Sequence, residues 1–266
     1  MSVPARQDGG RVGGKAAKPA PRMLVRSPFW WTLSRSSLWL FAKLWLRMRS
    51  EGSEQVPGAG PVLLVANHTS YLDPPLVGST CRRWVAFLAQ AGLARFAPMR
   101  WWLRQVGVTL IDRDAPSTAA LRLVADSLAA GEVVGIVPEG TRSRDGSIAP
   151  FRSGVEFLVR RTGAIVVPIG IDGAFRAFPR GALLPRPRKV IVRYGEPWPP
   201  ERVLAPGGVE ALRRRIAELA RAPLRGAETP TGRAGQQEQR TDADAVAPSA
   251  TTPSSSSSSS SAGGEA

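Results

Sequence analysis

The sequence predicts an α/β fold, with a mostly parallel central sheet that is flanked by helices. One observation behind this prediction is a series of short apolar runs, rich in β-branched residues, which are typical of buried strands. Another is that segments with apolar residues at helical spacing lie between these runs. A third is that the only histidine, His68, stands between an apolar run and a helix-like segment. Such strand-to-helix junctions usually carry the chemistry of α/β proteins.

The predicted strands are continuous apolar runs rather than alternating ones. They cover residues 62–66, 84–88, 108–111, 133–137, 165–169 and 190–194. Strands that are buried on both faces have this character, and they occur in parallel sheets covered by helices. Because parallel neighbours need a crossover connection, the alternation of strands and helices supports the same fold class.

The predicted helices occupy the connections between the strands. They cover residues 74–80, 91–105, 116–130 and 153–162, and another follows the last strand at 207–222. The clearest of them spans 116–130, begins with a proline and is followed by Gly131, a typical helix-terminating residue. The last helix carries one apolar stripe, made of Val209, Leu212, Ile216 and Leu219.

Residues 28–48 combine tryptophan, phenylalanine and leucine with arginine and lysine. Tryptophan favours the membrane interface, because its ring is apolar and its N–H is polar. The segment is long enough to span a bilayer, but Arg35 and Lys43 would each cost about 2.5–3.5 kcal/mol near the centre of a spanning helix. We therefore predict a helix within residues 28–50 that lies in the membrane interface. A spanning helix and an ordinary core-packing helix are the alternatives.

Residues 91–105 show a similar mixture of aromatic and basic side chains. A basic aromatic helix is suited to a membrane contact or to the wall of a site for an apolar chain. The alternative is a core helix whose arginines are solvated. The residues alone do not decide between these interpretations.

Composition changes sharply near both ends of the 266-residue chain. Residues 1–22 are rich in glycine, alanine, proline and basic residues, and we predict a disordered basic arm. Residues 226–266 become rich in serine, glycine and alanine, which predicts a disordered tail. Residues 23–225 form one predicted domain, and Met23 is a candidate for the true start of translation.

The net charge of +15 implies acidic partners, such as anionic lipid, nucleic acid or phosphorylated small molecules. Cys81 and His68 are the only residues of their types, which excludes an intramolecular disulfide and argues against a zinc site. The sequence also lacks a phosphate-binding Gly-Lys-Ser/Thr loop and a complete dinucleotide-binding loop. We therefore expect neither a metal nor a cofactor.

His68 and Asp73 are the strongest candidates for catalytic residues. Imidazole exchanges a proton near neutral pH, and it acts best when a carboxylate holds one of its ring nitrogens. Positions five apart do not share a face of an ideal helix, but a loop histidine can reach back to the first helical turn. The alternative is that His68 is a hydrogen-bonded turn residue and Asp73 a helix cap.

The stretch that contains His68 and Asp73 is the first of four short motifs that follow one another along the chain. The others are residues 107–113, 138–143 and 166–169. Together they resemble the motifs of the glycerolipid acyltransferases, the 1-acyl-glycerol-3-phosphate acyltransferase group, over about residues 28–200. The third motif, Pro-Glu-Gly-Thr-Arg-Ser, is the most diagnostic. One departure is Arg152, which stands where many members have lysine.

The resemblance implies a membrane-associated enzyme of phospholipid biosynthesis whose domain is residues 23–225. It would move a fatty acyl group from acyl-coenzyme A or acyl-acyl carrier protein to the sn-2 hydroxyl of 1-acyl-glycerol 3-phosphate, which gives phosphatidic acid. His68 would be the general base and Asp73 the residue that orients it. The implied location is the cytoplasmic face of the cell membrane, as a peripheral or monotopic protein.

The resemblance also implies the residues that bind the acceptor. They are Arg113, Glu139, Gly140, Thr141 and Arg142. Guanidinium groups suit a phosphate because they offer two parallel hydrogen bonds. Glu139 would accept a hydrogen bond from the acceptor or hold Arg142 in place. The alternative for both arginines is a surface ion pair with Asp112 or Asp145.

Several alternatives remain open from the sequence. The acceptor could be another lysophospholipid or lipid, since short motifs near the base do not specify it. A covalent route would need Ser70 or Cys81 as nucleophile, but the chain has no Gly-x-Ser-x-Gly elbow. The fourth motif, residues 166–169, would line the acyl groove or form a core strand. Outside enzymes, the charge also suits a binding protein for anionic lipid or nucleic acid, although we expect no nucleic-acid partner.

Overall fold

The strands of the computed structural model form a single seven-stranded sheet. The model describes residues 27–90, 92, 97–111 and 117–226. The strands are β1 (Arg49–Glu51), β2 (Val62–Ala66), β3 (Val85–Gln90), β4 (Val108–Ile111), β5 (Val133–Ile136), β6 (Ile165–Asp172) and β7 (Ile191–Tyr194). Their order across the sheet is β1-β7-β6-β2-β5-β3-β4.

All neighbouring strands are parallel except β6 and β7, which are antiparallel. The edge pair β1 and β7 therefore runs opposite to the other strands. This arrangement confirms the predicted mostly parallel sheet. Because β2 and β5 are parallel neighbours, with Val65 opposite Ile136, their carboxyl ends lie side by side. The segments that follow these two strands are the first and third motifs.

Helices cover both faces of the sheet. They are α1 (Pro28–Leu44), α2 (Asp73–Thr80), α3 (Ala97–Gln105), α4 (Ser117–Ala129), α5 (Gly154–Thr162), α6 (Ala174–Ala177), α7 (Pro200–Leu204) and α8 (Gly208–Ala220). One apolar core joins the sheet to α1, α2 and α6, and includes Leu46, Leu76 and Val167. The other joins it to α4, α5, α7 and α8, and includes Leu128, Leu158 and Ile216.

The predicted elements are all present, with small differences at their ends. β2 and β4 have the predicted bounds, whereas β6 continues to Asp172. The sequence did not predict β1, the short helices α6 and α7, or the 3-10 turn at Ser53–Gln55. β1 was missed because its residues are polar and exposed, so that they carry no apolar signal.

α1 is shorter than the predicted helix. It begins after Ser27, whose side chain accepts a hydrogen bond from the Trp30 amide, and it ends at Leu44. Arg47 then adopts a left-handed conformation, with a φ of 45°, and turns the chain into β1. Trp31 and Ala42 are the buried residues of this helix. No helix in the described part of the chain combines the length and hydropathy that crossing a bilayer requires.

Several predictions concern residues that the structure does not describe. The basic arm 1–22, Met23 and the tail beyond residue 226 lie outside the described residues. So do Arg113 and Asp112 of the second motif, and most of residues 91–96. The proposed domain bounds of 23 and 225 therefore stay predictions.

Candidate active site

His68 lies two residues beyond β2, and Asp73 is the first residue of α2. The His68 Nδ1 atom is 3.0 Å from the Asp73 Oδ2 atom. The Asp73 side chain is completely buried, whereas 17% of the His68 side chain is exposed. The loop between them therefore folds back to the first helical turn, as predicted, and one edge of the imidazole stays accessible.

The Asp73 Oδ2 atom accepts two further hydrogen bonds, from the backbone amides of Thr69 and Ser70, both at 2.7 Å. These donors suit a buried carboxylate oxygen, because the hydrogen bonds offset the cost of removing it from water. The helix-cap interpretation is wrong, since Leu72 occupies the N-cap position of α2. Asp73 instead fixes the shape of the loop that carries His68.

The orientation of the imidazole follows from this contact. A charged carboxylate at Nδ1 requires a proton on that nitrogen, so the neutral ring presents the lone pair of Nε2. No residue in the described ranges forms a hydrogen bond with Nε2. His68 is therefore set up to accept a proton from a bound ligand at its partly exposed edge.

Glu139, in the third motif, braces the backbone of the first motif. Its Oε1 atom accepts from the His68 amide at 2.8 Å, and its Oε2 atom accepts from the Ala149 amide at 3.0 Å. Burial raises the pKa of Glu139, and the two amide hydrogen bonds partly oppose this effect. The expectation that Glu139 holds Arg142 in place is wrong, because Glu139 bonds to these two backbone amides, and the buried Arg142 Nη1 atom has no hydrogen-bond partner among the described residues.

A second hydrogen bond ties the same two loops together. The Ser143 amide donates to the His68 carbonyl at 2.7 Å. Together with the Glu139 contact, it fixes the His68 peptide on both its N–H and its C=O side. The first and third motifs therefore form one rigid loop unit at the carboxyl ends of β2 and β5.

Arg142 lies over the ring of Tyr71, with its guanidinium carbon 3.5 Å from the ring centroid. Its Nη1 atom is buried and has no hydrogen-bond partner among the described residues. A buried guanidinium donor without a partner is costly, and an anionic ligand would satisfy it. The ion-pair alternative with Asp145 is wrong, because Asp145 pairs with Arg225 at 2.9 Å.

Gly140 is exposed and adopts a left-handed conformation, with a φ of +72°. A Cβ atom at this position would lie 2.5 Å from Nε of Arg152. The Arg152 side chain therefore lies across the glycine and adds a second guanidinium to this loop. The neighbouring Thr141 is exposed on the same turn. Arg113 of the second motif lies outside the described residues, so its predicted role stays a prediction.

The residues considered for a covalent route are engaged elsewhere. The Ser70 hydroxyl donates to the Phe178 carbonyl at 2.9 Å and accepts from the Leu72 amide at 3.1 Å. Cys81 is buried, and burial raises the pKa of its thiol. A thiol with a raised pKa is a poor nucleophile near neutral pH. Neither residue is therefore prepared for attack.

The fourth motif belongs to the core. Val166, Val167 and Ile169 lie in β6 and have no exposed surface. β6 pairs with β2 on one side and with β7 on the other. The core-strand interpretation of residues 166–169 is therefore confirmed, and the groove-lining alternative is wrong.

An apolar groove of about 610 Å³ opens beside the helix that carries Asp73. It lies between α1, α2, α3 and the edge of the sheet, and Pro74, directly after Asp73, is part of its wall. A hydrogen bond from Trp102 to Ser34 joins α3 to α1 across this groove. Other lining residues are Trp31, Leu38, Val85, Phe87 and Leu103. The groove has the size and polarity of a site for an aliphatic chain.

Tyr71 and Arg152 were absent from the predicted site. Tyr71 carried no signal of its own, because its contact with Arg142 depends on how two loops meet in space. Arg152 did carry a signal, as a cation shortly after the third motif. Among the described residues no cluster of histidine, cysteine and carboxylate side chains could hold a metal ion.

Several known proteins are similar to this chain in sequence. The sequence model of the acyltransferase family matches residues 47–172, which include the first and third motifs. The chloroplastic 1-acyl-sn-glycerol-3-phosphate acyltransferase of Arabidopsis thaliana is 30% identical over 152 residues, which are 53% of this chain and 42% of the relative. The 1-acyl-sn-glycerol-3-phosphate acyltransferase of Borreliella burgdorferi is 30% identical over 135 residues, or 50% of this chain and 53% of the relative. The chain thus spans about half the length of these relatives.

A solved structure extends the similarity to the fold. The crystal structure of the 1-acyl-sn-glycerophosphate acyltransferase PlsC from Thermotoga maritima matches with a TM-score of 0.58 and 30% sequence identity. The match covers 70% of this chain and 77% of that chain. Sequence motifs, fold and these relatives therefore agree that the chain belongs to the acyltransferase family, the family of the 1-acyl-sn-glycerol-3-phosphate acyltransferases.

Proposed function

We propose that this protein transfers a fatty acyl group from an acyl thioester to the sn-2 hydroxyl of 1-acyl-glycerol 3-phosphate. The product would be phosphatidic acid. The observation that carries the proposal is the His68–Asp73 contact, at 3.0 Å, on the same loop unit as Arg142, whose buried Nη1 atom has no hydrogen-bond partner among the described residues. A base and an anion site held together suit an acceptor that has both a hydroxyl and a phosphate.

The reaction begins when the acceptor hydroxyl loses its proton to Nε2 of His68 as its oxygen attacks the thioester carbonyl. The new C–O bond gives a tetrahedral intermediate, and the C–S bond then breaks to release the thiol carrier. The leaving sulfur takes the proton back from the imidazolium. Asp73 stabilises that imidazolium and needs no proton of its own, as the buried carboxylate already accepts three hydrogen bonds.

The phosphate of the acceptor is proposed to bind at Arg142, with Arg152 as a second cation beside Gly140. Arg142 has a buried donor to satisfy, and the exposed Arg152 reaches the same turn. Two guanidinium groups offer planar, charge-assisted hydrogen bonds that match phosphate oxygens. Arg113 is a further candidate from the family resemblance alone.

The apolar groove beside α2 is proposed to hold an aliphatic chain. Its wall begins at Pro74, the residue after Asp73, so a chain in the groove would start close to the reacting carbonyl. The basic chain, with a net charge of +15, suits the phosphates of coenzyme A and the acidic surface of acyl carrier protein equally. We therefore propose an acyl thioester donor of either kind.

The proposed location is the membrane surface at the cytoplasmic face, as a peripheral or monotopic protein. α1 supports it with an exposed apolar stripe made of Phe29, Leu33, Leu40 and Leu44. Their spacing of four, seven and four residues places them on one side of the helix. An apolar stripe next to basic residues is typical of helices that lie in the interface.

The experiment is acyl transfer by the purified full chain in detergent, with a long-chain acyl-coenzyme A and 1-acyl-glycerol 3-phosphate. His68→Ala is expected to lower kcat by about 10²-fold or more, because a general base contributes at least that factor. Arg142→Gln is expected to raise the KM for the acceptor by about tenfold or more, with the KM for the donor unchanged. Arg144→Gln is the matched control, since Arg144 is an exposed neighbour.

Each outcome has a defined meaning. Full activity in folded His68→Ala would remove His68 as the base and end the proposed mechanism. An equal rise of both KM values in Arg142→Gln would remove the phosphate assignment. If the parent acylates another lysophospholipid and leaves 1-acyl-glycerol 3-phosphate untouched, the chemistry stands and the acceptor assignment is wrong.

A further inference from the structure

The segment 178–189, between α6 and β7, presents two adjacent leucines to solvent. Leu183 is 93% exposed and Leu184 is 78% exposed, and no other large apolar side chain in the described ranges exceeds these values. Exposed apolar pairs of this kind favour transfer out of water. They therefore require an explanation that packing within the domain does not supply.

The segment is structured, because hydrogen bonds hold it at several points. The Ala182 amide donates to the Pro179 carbonyl at 3.2 Å, and the Arg186 amide donates to the Ala177 carbonyl at 2.7 Å. Pro185 and Pro187 further restrict the backbone. The leucines are thus presented at the tip of a fixed loop.

This loop is joined to the apolar end of α1. The indole Nε1 atom of Trp45 donates to the Pro185 carbonyl at 3.0 Å. Trp45 itself is 47% exposed, and its neighbour Leu44 is 74% exposed. The two leucines of the loop and the carboxyl end of α1 therefore belong to one apolar surface.

Basic residues surround the leucines. Arg180, Arg186, Arg188 and Lys189 are all exposed, and residues 173–189 contain no aspartate or glutamate. Apolar side chains at a tip, with cations behind them, match the acyl region and the anionic headgroups of a lipid leaflet. A protein partner would need a complementary apolar pocket of its own, whereas a leaflet also covers the stripe on α1.

The base of the loop reaches the candidate active site. The Ser70 hydroxyl donates to the Phe178 carbonyl at 2.9 Å. The Phe178 ring lies 6.3 Å from the Tyr71 ring, between centroids, and Tyr71 is the residue under Arg142. One end of the segment thus contacts the catalytic motif, and the other contacts α1.

We propose that segment 178–189 is a membrane-insertion loop, which docks with the carboxyl end of α1 on an anionic lipid leaflet. The partner is a bilayer that contains phospholipids of net negative charge. The loop would seat the site at the surface from which a lysophospholipid acceptor enters, and this last point rests on the proposed function. The docking itself follows from the leucines, the cations and the contact with Trp45.

The test is flotation of the full chain with vesicles of phosphatidylcholine alone or mixed with phosphatidylglycerol. Leu183→Ser with Leu184→Ser is expected to lower binding to the mixed vesicles by at least about tenfold, because two apolar side chains no longer enter the leaflet. Arg186→Gln with Arg188→Gln is expected to lower binding to the mixed vesicles by about tenfold or more and to leave phosphatidylcholine binding unchanged. The matched control is Phe157→Ser, an exposed apolar residue of α5 on the other face of the sheet.

Binding of the leucine variant at the parent level, with an unchanged Tm, would overturn the proposal. Failure of the parent to float with mixed vesicles would also overturn it. A protein partner would replace the bilayer if the leucine variant kept vesicle binding but bound acyl carrier protein more weakly. If the parent has no acyltransferase activity and the leucine variant still loses vesicle binding, the docking loop stands and the proposed function fails.

Discussion

The Oδ2 atom of Asp73 performs two tasks at once, since it fixes the imidazole of His68 and shapes the loop that carries it. Asparagine could point its NH2 group at the three donors, which would then face another donor instead of an acceptor. If its side chain turned the other way, the NH2 group itself would be a buried donor without an acceptor. The carboxylate therefore cannot be replaced by a neutral side chain of the same shape. This explains why a separation of five residues suffices for the contact between His68 and Asp73 when a loop, rather than a helix, precedes the acid.

Tyr71 is expected to position Arg142 through the face of its ring. Tyr71→Leu removes a contact of about 0.5–2 kcal/mol, so we expect a rise of roughly two- to thirtyfold in the KM for the acceptor. The KM for the thioester should not change. Steady-state kinetics with each substrate varied in turn measure both values.

The conservative variant Tyr71→Phe keeps the ring and is expected to behave as the parent. A Tm measurement on both variants separates positioning from folding. Equal KM values for parent and Tyr71→Leu, in folded protein, would show that the ring does not position the guanidinium.

At this scale the sequence predicted the contact between His68 and Asp73, because the chain offers a single imidazole with a carboxylate nearby. It did not predict the role of Glu139, whose oxygens accept from two backbone amides rather than from Arg142. Backbone partners of this kind carry no sequence signature, since every residue except proline has an amide. Tyr71 was missed for a related reason, as the contact forms between loops that are far apart in the chain.

α8 approaches the sheet so closely that its backbone contacts β6 at Gly170. A Cβ atom there would lie 2.2 Å from the Ala220 nitrogen and 2.3 Å from the Leu219 carbonyl carbon. Both are backbone atoms, so a side chain at this position could be accommodated only if the helix moved. The glycine thus fixes how near the second helical layer lies to the sheet.

Gly170→Ala is expected to destabilise the domain by about 1–3 kcal/mol or more, since it forces α8 away from β6. The measurement is the Tm, which falls by roughly 2–4 °C for each kcal/mol in a domain of this size. Gly58→Ala is the matched control, because nothing lies within 4 Å of a Cβ at Gly58. Equal Tm values for the two variants would contradict the close approach.

The elements that could be predicted are those with a continuous apolar signal. β2 and β4 were bounded correctly because polar or turn residues flank their apolar runs. The end of α1 was placed too late, since the left-handed residue that turns the chain is Arg47 rather than a glycine. The edge strand β1 is held by pairing with β7, and its own polar residues give no sequence signal for a strand.

The described part of the chain exposes its apolar side chains unevenly. Its exposed large apolar side chains lie mainly on α1, on α3 and on the segment 178–189. Tyr71 and Trp84 are also exposed outside these three regions, and Phe157 is an exposed aromatic residue of the layer formed by α4, α5, α7 and α8. Most of the exposed apolar surface among the described residues therefore lies away from that layer.

Salt is expected to weaken, but not abolish, binding of the full chain to vesicles with phosphatidylglycerol. The net charge of +15 supplies attraction that is screened by ions, whereas the apolar contacts are not screened. Flotation at about 0.05 M and about 0.5 M salt measures the two contributions. Complete release at the higher concentration would show that the apolar face does not enter the leaflet.

The double attachment of the His68 peptide to Glu139 and Ser143 has a consequence for acceptor selection. These bonds hold His68 and Arg142 on one loop unit, so under the proposed function the distance between the two side chains would change little when a ligand binds. It would then select acceptors by the distance between their hydroxyl and their phosphate. Selectivity should therefore depend on the head of the acceptor, and a lysolipid of any tail length that preserves this distance should qualify.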